Sequence, residues 1–518
     1  MSINIFRKAF FIFVANLFTF HLNAQVLHKS LDQFLNSATL SAYSLKFEKE
    51  VRRFYLLNGY GFAWLNGNDG NISLLAGFIK QADALGLEQE DYQPGLIKVY
   101  KKGLFINVSE QDSFIAEVKF TDAAIHFLHD VLMGNKQQKL SYNGLHYTPE
   151  CYDIALMLFT KMENGLSPSF ITEIEPTYPE YLSVKQMLNN FMKIINEPGF
   201  TDVLVGSPQV NGKNTALLWR LYQLGIIDSD TLKSAVIIKE KVKEAQKLFN
   251  LLNDGVLRST TLKEFNMPLI SRVNSLKYTL NTIRWLSCIR KSENIIVVNI
   301  PSATLLLYGG SETIFESSVI VGKKLTPTPT LCSNITEVIL YPYWHVPFKI
   351  ATRELLPRIK RNVGYLDENN FQVLNLKGNV VDARSVNWSV LNSSYFPYLI
   401  RQSTGCDNSL GLIKLNFYNP FSVYLHDTPN KLLFSLNRRY FSHGCMRVEK
   451  AMELGRYILR DNRIAIDTLT QMGCLVNMEP VTVPASQALP VFVLYQTAWV
   501  DSLHRVSFFE DVYSKFSE

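Results

Sequence analysis

Two periods of hydrophobic recurrence divide the chain. From about residue 25 to 225, apolar side chains return every three or four positions. "SLLAGFIKQADALGL" (Ser73–Leu87), "EVKFTDAAIHFLHDVLMGN" (Glu117–Asn135) and "YLSVKQMLNNFMKIINEPG" (Tyr181–Gly199) carry this spacing and stop at Gly86, Gly134 and Pro198-Gly199. Such a stripe buries one face of a helix, and a Gly or Pro beyond it ends the turn. Over 226–267, "DSDTLKSAVIIKEKVKEAQKLFNLL" and "NDGVLRSTTLKEFNM" predict a helix, a Gly-containing turn, and a second helix opening at a Ser/Thr cap. From about Asn294 the period falls to two. "NIIVVNIPSATLLLYGGSETIFESSVIVGK", "TEVILYPYWHVP", "NFQVLNLKGNVVD" and "GLIKLNFYNPFSVYLHD" alternate β-branched or aromatic residues with polar ones, as strands do. A basic helical segment, "PFKIATRELLPRIKRNVGYL" (Pro347–Leu366), interrupts them. A second helix, "EKAMELGRYILRDN", sets Ala451, Met452, Leu454, Tyr457 and Ile458 toward a core.

Composition supports globular domains. The 518 residues are 47% hydrophobic and 19% charged, enough for several cores. A net charge of +6 without a basic stripe argues against a nucleic-acid partner. The N-terminus places Arg7 and Lys8 before an apolar run from Ala9 to Phe20, with Ala24 at a cleavage point. That order predicts a secretory leader over 1–24, with membrane association only where it stays uncleaved. Six cysteines (151, 288, 332, 406, 445 and 474) are too scattered for a disulfide-stapled mini-domain. His126 and His129 lie three apart on a predicted helix and lack a carboxylate partner, which reads as a polar face rather than a metal site.

The candidate chemistry concentrates in "FSHGCMRVEK" (Phe441–Lys450) and "YLHDTP", centred on His426. A nucleophilic thiol needs a base within reach and donors for the developing oxyanion. His426 ends an apolar strand that can hold an imidazole rigidly. Gly444 lets the backbone approach a carbonyl, so the N–H groups of Gly444 and Cys445 are candidate oxyanion donors, with His443 beside them. A helix starting just downstream would favour the thiolate. Spacing alone leaves three readings open: a nucleophile, a zinc site from His426, His443 and Cys445, or a structural cysteine.

"HDTP" followed by "SHGCMRVE" resembles the signature of the L,D-transpeptidases, a His, then a gap of about fifteen residues, then Ser/Thr-His-Gly-Cys. "RWLSCIRKSENIIVVNIPSATLLLY", "VIVGKKLTPTPTLCSNITEVILYPYWHVP", "NSLGLIKLNFYNPFSVYLHDTP" and "TAWVD" resemble successive blocks of that family's longer, multi-domain members. The resemblance implies a multi-domain α+β protein. It would have a helical scaffold domain (25–225), a small helical peptidoglycan-binding-like unit (226–267) and a β-rich catalytic domain (283–515), with a helical lid insertion at 347–404. It also implies acyl transfer through a thioester. Cys445 would be the nucleophile and His426 the base, while His443 and Gly444 would line the oxyanion pocket. The partners implied are peptidoglycan stem peptides, with carbapenems as inhibitors; no cofactor or metal is implied. Tyr424 and Trp344 are candidate pocket walls or core aromatics, and Arg447 a candidate carboxylate ligand or a brace for the motif. Arg447 stands where smaller members carry Asn, and Arg258-Ser259 where Gly-Pro is common in the binding unit. A carboxypeptidase, an amidase or an inactive wall-binding scaffold would share most of these features.

Overall fold

The computed structural model describes residues 31–36, 40–66, 70–102, 109–136, 138–145, 151–206, 215–228, 235–473 and 475–516. The leader expected at 1–24 lies outside them. The fold is multi-domain α+β, helical toward the N-terminus and β-rich toward the C-terminus. It divides into two compact units. One is drawn from residues 1–137, 149–200 and 276–288, the other from 138–148, 201–275 and 289–518.

The first unit is built around the helix Glu110–Met133. Ser109 caps it by accepting the Asp112 N–H at 3.1 Å. Its side chains are buried almost all round, which is the mark of a central helix. The fully buried Glu117 carboxylate accepts the backbone N–H groups of Ala63, Trp64 and Leu65 and the Tyr55 hydroxyl. These bonds fold "GFAWL" around the helix. Burial still pushes the Glu117 carboxyl upward. The expectation that His126 and His129 lack a carboxylate is corrected here. Asp130 is that partner, with its oxygens 3.0 Å from His126 Nε2 and 2.9 Å from His129 Nδ1, and it also accepts the Tyr92 hydroxyl at 2.9 Å. Asp130 stands four residues after His126, one helical turn on, so the sequence already held the partner that the two-histidine reading passed over. Burial raises Asp130, yet the two imidazoles outweigh this and hold it at about 2. Among the described residues no group of three or more His, Cys, Asp or Glu is disposed to hold a metal ion.

In the second unit, the helices Thr215–Gln223, Ala235–Leu248 and Ser259–Phe265 form a small block. The fully buried Arg220 donates to the carbonyls of Phe265 and Met267 and pairs with Asp202 at 2.8 Å. The helix Thr215–Gln223 therefore belongs with this block, across the boundary placed at 225 from sequence. Ser259 opens its helix after Arg258, without the side-chain cap the sequence suggested.

The sheet follows in chain order. Strands β1 (Tyr142–Asn143), β2 (Ile295–Asn299), β3 (Thr304–Gly309), β4 (Glu312–Gly322) and β5 (Leu331–Leu340) come first. The insertion body, which opens at Trp344 ahead of the boundary placed at 347 from sequence, contains β6 (Trp344–His345), β7 (Phe371–Asn375), β8 (Val380–Val381) and β9 (Tyr398–Gln402). Then come β10 (Ile413–Phe417), β11 (Leu425–His426), β12 (Tyr440–Ser442), β13 (Met446–Val448) and β14 (Val481–Leu494). The main sheet runs β1-β5-β10-β11-β13-β4-β3-β2-β14, with β12 paired to β4 and β14 also paired to β5. Its inner face and the helix Ala451–Ile458 bury one apolar cluster that includes Val319, Val338, Leu415, Leu425, Met446 and Leu454.

The insertion is a small α+β body. Its antiparallel sheet β6-β9-β7-β8 packs on short helices over its own core of Leu355, Ile359, Val373, Trp388 and Ile400. Residues Ala351–Leu355 form a π-turn ahead of Pro357. Proline removes an N–H donor and crowds the carbonyl four residues back, and the wider turn accommodates it.

Within the first unit, Cys151 and Cys288 form a disulfide across a sequence separation of 137 residues. Replacing both with Ser should cost this unit about 2–5 kcal/mol, the usual loss for a native disulfide. Urea unfolding of parent and variant measures it, and an unchanged midpoint would assign the bridge no stabilising role.

Candidate active site

Strand alternation assembles the site. Along β10, Ile413, Leu415 and Phe417 turn into the core, which leaves Lys414 and Asn416 on the other face. Leu425 of β11 and Met446 of β13 likewise point inward, both fully buried. Their neighbours Tyr424, His426, Cys445 and Arg447 therefore share the face with Lys414. Register then aligns them. Lys414 lies opposite His426, and His426 opposite Arg447. The same row continues to Ile339 on β5 and Ile320 on β4. One row of side chains thus reads Ile339, Lys414, His426, Arg447, Ile320.

His426 is buried, 4% exposed. Its Nδ1 donates to the Asp427 carbonyl at 2.6 Å, which fixes the ring and leaves Nε2 as the basic nitrogen. The Tyr424 ring meets it edge-on at 5.6 Å. Burial, reinforced by the positive charge of Arg447, lowers the imidazole to about 3. The Cys445 thiol is half-buried, its Sγ 3.9 Å from the Ser422 carbonyl, with Tyr424 beside it. Burial raises the thiol, while Tyr424, Lys414 and Arg447 pull it back. At neutral pH the pair therefore rests as neutral thiol and neutral imidazole. The helix-terminus argument made from sequence fails on geometry. Strand β13 intervenes, and the next helix starts only at Ala451. Stabilisation of the thiolate falls instead to Tyr424 and the two cations.

The oxyanion assignment also changes. The Gly444 N–H donates to Ser442 Oγ at 3.1 Å, and Ser442 Oγ donates to the Cys445 carbonyl at 2.5 Å. The N–H of Gly444 is therefore occupied within the turn, whereas that of Cys445 has no acceptor among the described residues. Gly444 supplies conformation, since its φ of +119° is a backbone state that side chains rarely adopt. Its carbonyl accepts Thr328 Oγ1 at 2.8 Å, and Thr328 Oγ1 in turn accepts the Gly322 N–H at 2.9 Å. The exposed His443 reaches the insertion instead, with Nε2 2.8 Å from Glu354 Oε1 in the π-turn. Trp344 packs with the insertion's core, 6.2 Å from the Phe371 ring.

The sequence pointed to a backbone carbonyl near Asp427 or Thr428 as the group that orients His426, but three side-chain roles were not singled out, those of Asp427, Thr328 and Lys414. Asp427 uses its carboxylate to accept the Leu412 N–H at 3.0 Å and to pair with Lys431 at 2.7 Å, locking the "HDTP" turn onto β10. Gly411 makes room for it, since a Cβ there would sit 2.3 Å from the carboxylate. Thr328 clasps the Cys445 turn. Only Lys414 left a trace, as a charged residue inside the alternating "GLIKLNF".

Residues 293–466, which hold His426, Cys445 and the insertion, match the model of the L,D-transpeptidase catalytic domain. This segment is similar to the L,D-transpeptidase catalytic domain. Residues 49–188 match the Scaffold domain. A Haemophilus influenzae protein carrying an L,D-transpeptidase designation is 37% identical over 227 residues, which are 44% of this chain and 45% of that relative. The chain thus spans under half the length of the curated relative it matches. Among solved structures, an L,D-transpeptidase from Mycobacterium smegmatis aligns over 39% of this chain and 58% of its own, at 14% identity and a TM-score of 0.18. An L,D-transpeptidase solved with imipenem aligns over the same shares at 13% identity and a TM-score of 0.16.

The resting charges of the His426–Cys445 pair are measurable. A thiolate absorbs in the near ultraviolet where the thiol does not, and an ordinary thiol titrates at about 8.5. Because burial raises Cys445 and lowers His426, the difference spectrum between parent and Cys445→Ala should show no thiolate from pH 5 to 8. The signal should appear only at alkaline pH, above that ordinary value. A thiolate band already present at pH 6 would mean a preformed ion pair.

Proposed function

We propose that this protein is an exported L,D-transpeptidase that forms 3→3 peptidoglycan cross-links through a Cys445 thioester. The observation that carries the proposal is the Tyr424–His426–Cys445 grouping on one sheet face, with His426 held by the Asp427 carbonyl through Nδ1. Cys445 Sγ attacks the carbonyl carbon of the third stem residue while His426 Nε2 takes the thiol proton. The bond to the terminal D-Ala nitrogen breaks, and that amine leaves with the proton from His426. The side-chain amine of a second stem then attacks the thioester and restores the thiol. The Cys445 N–H is the available backbone donor for the tetrahedral oxyanion. Arg447 faces the same pocket and suits a substrate carboxylate. The leader-like residues 1–24 support export to the periplasm or cell envelope. Water in place of the amine would turn the same site into a carboxypeptidase.

The test is mass spectrometry of tetrapeptide muropeptides after incubation with the mature protein. Dimers are expected; tripeptides would assign hydrolysis, and unchanged material an inactive scaffold. Cys445→Ala should abolish acylation by donor or carbapenem, and His426→Ala should slow it by about 10²–10⁴-fold, the usual worth of a general base. A carbapenem adduct persisting in Cys445→Ala would place the nucleophile elsewhere.

The insertion at 347–404 is proposed as a lid over this site. It carries Lys349, Arg353, Arg358, Lys360 and Arg361, and its Glu354 reaches His443 next to the catalytic turn. Because it holds its own apolar core, its removal should leave the main sheet folded. The shortened enzyme should bind tetrapeptide donor about tenfold more weakly, since a lid holds substrate by enclosing it. Unchanged donor affinity in calorimetry would rule the lid out.

A further inference from the structure

Two cations flank the catalytic imidazole in the row Lys414, His426, Arg447. Both are half-buried. Neither side chain has a hydrogen-bond acceptor among the described residues. The Lys414 ammonium rests over the face of the Tyr424 ring, 4.3 Å from its centroid. Glu337 is the acidic group that influences it, and Glu337 Oε1 is already taken by Asn416 Nδ2 at 2.6 Å. Ile339 and Ile320 close the two ends of the row. On the insertion side, His345 and Arg401 add no negative charge, and Arg401 is engaged by Gln372 and the Tyr343 ring. Desolvating a cation without a partner costs free energy, so such groups persist where a ligand completes them.

We infer that Lys414 and Arg447 together form a carboxylate receptor beside the Cys445 thiol, and that Lys414 is a substrate-binding, specificity-determining residue. The inference rests on the stem-peptide reading above and names what the site recognises in the donor. That feature is a carboxylate near the attacked carbonyl, borne either by the departing terminal D-amino acid or by a diamino third residue with a free side-chain carboxyl. The sequence supports this economy of means. In "GLIKLNF" every other inward position is apolar, and the one long cation placed outward at the centre of β10 lands opposite His426.

The experiment compares two reagents that differ in charge and share a mechanism. Iodoacetate and iodoacetamide both form an S–C bond to Cys445 and release iodide, and the thiol proton passes to His426 or solvent. A carboxylate receptor concentrates only the first. In Lys414→Met, which keeps the length of the side chain, the ratio of the two alkylation rates (iodoacetate over iodoacetamide) should fall about tenfold, the low end of electrostatic focusing in a cleft. Lys414→Arg should retain the parent ratio. Any shift in thiol ionisation affects both reagents alike and cancels. An equal ratio in parent and Lys414→Met, with both folded by thermal melt, overturns the inference. With tetrapeptide donor, Lys414→Met should raise KM about tenfold and change kcat by less than about threefold. Donors amidated at the terminal carboxyl or at the third residue's side-chain carboxyl separate the two sources, since the correct amide abolishes the difference between parent and variant. If neither amide does so, the receptor does not serve the donor and the specificity role is lost. Failure of the transpeptidase reading would appear as no turnover by the parent and would leave the alkylation ratio to decide the receptor.

Discussion

The parallel pairing of β11 with β13 is the constraint on which the site depends. The pairing is two residues long, Leu425 with Met446 and His426 with Arg447. Strand side chains alternate, so a slip of one residue would send His426 into the apolar core and Leu425 into the site. Two buried side chains, Leu425 and Met446, resist the slip from below. From the ends, Asp427 grips β10 through the Leu412 N–H, and Thr328 holds the Gly444 carbonyl. Each of these clamps lies outside the paired residues, where a strand this short needs them. Gly411 is glycine for the same reason, since a Cβ there would meet the Asp427 carboxylate at 2.3 Å, and a Cβ at Gly322 would meet the Thr326 carbonyl at 2.2 Å in the loop that carries Thr328.

Electrostatics follows from the same register. The row sets two positive charges on either side of an imidazole and closes the ends with isoleucine. Protonating His426 there would add a third charge to a poorly solvated row, so the ring stays neutral and is available as a base. The cost falls on the thiol, which loses the imidazolium that would have stabilised its anion. Tyr424, Lys414 and Arg447 offset part of this by drawing the thiol back down. Burial first and Arg447 second keep the imidazole neutral, while Tyr424 and the same cations draw the thiol toward ionisation.

How much of this could be read from the chain differs by element. The change from helical to strand periodicity near Asn294 was legible because both patterns extend over many residues, and the structure places β2 at Ile295–Asn299. His426 and Cys445 stood out because their residue types are rare in such short strings. Asp130 was within reach of spacing rules, four residues after His126 on the same helix face, and was passed over because only the two histidines were weighed. Ser442 and Thr328 were invisible as functional groups, since a hydroxyl that bonds backbone leaves no periodic trace. The Gly444 N–H was assigned to substrate for the same reason, as nothing in "SHGC" reveals that the serine two residues earlier already accepts it.

Lys414 marks the boundary between pattern and register. The alternation in "GLIKLNF" places it on the outer face, which ordinarily means solvent and would make a lysine unremarkable. Only the pairing of β10 with β11 shows that this face is the one that carries His426, and only the pairing of β10 with β5 sets Ile339 beside it. A surface lysine keeps its charge hydrated and contributes little. The same residue under an aromatic ring, between an isoleucine and an imidazole, loses part of its water and shifts its neighbours' proton equilibria. The distinction lies in which strands adjoin it, a property of long-range pairing that no local window contains. A binding group supplied by the sheet itself is also held by backbone hydrogen bonds on both sides. It therefore stays positioned whether or not the insertion, with its separate core, moves.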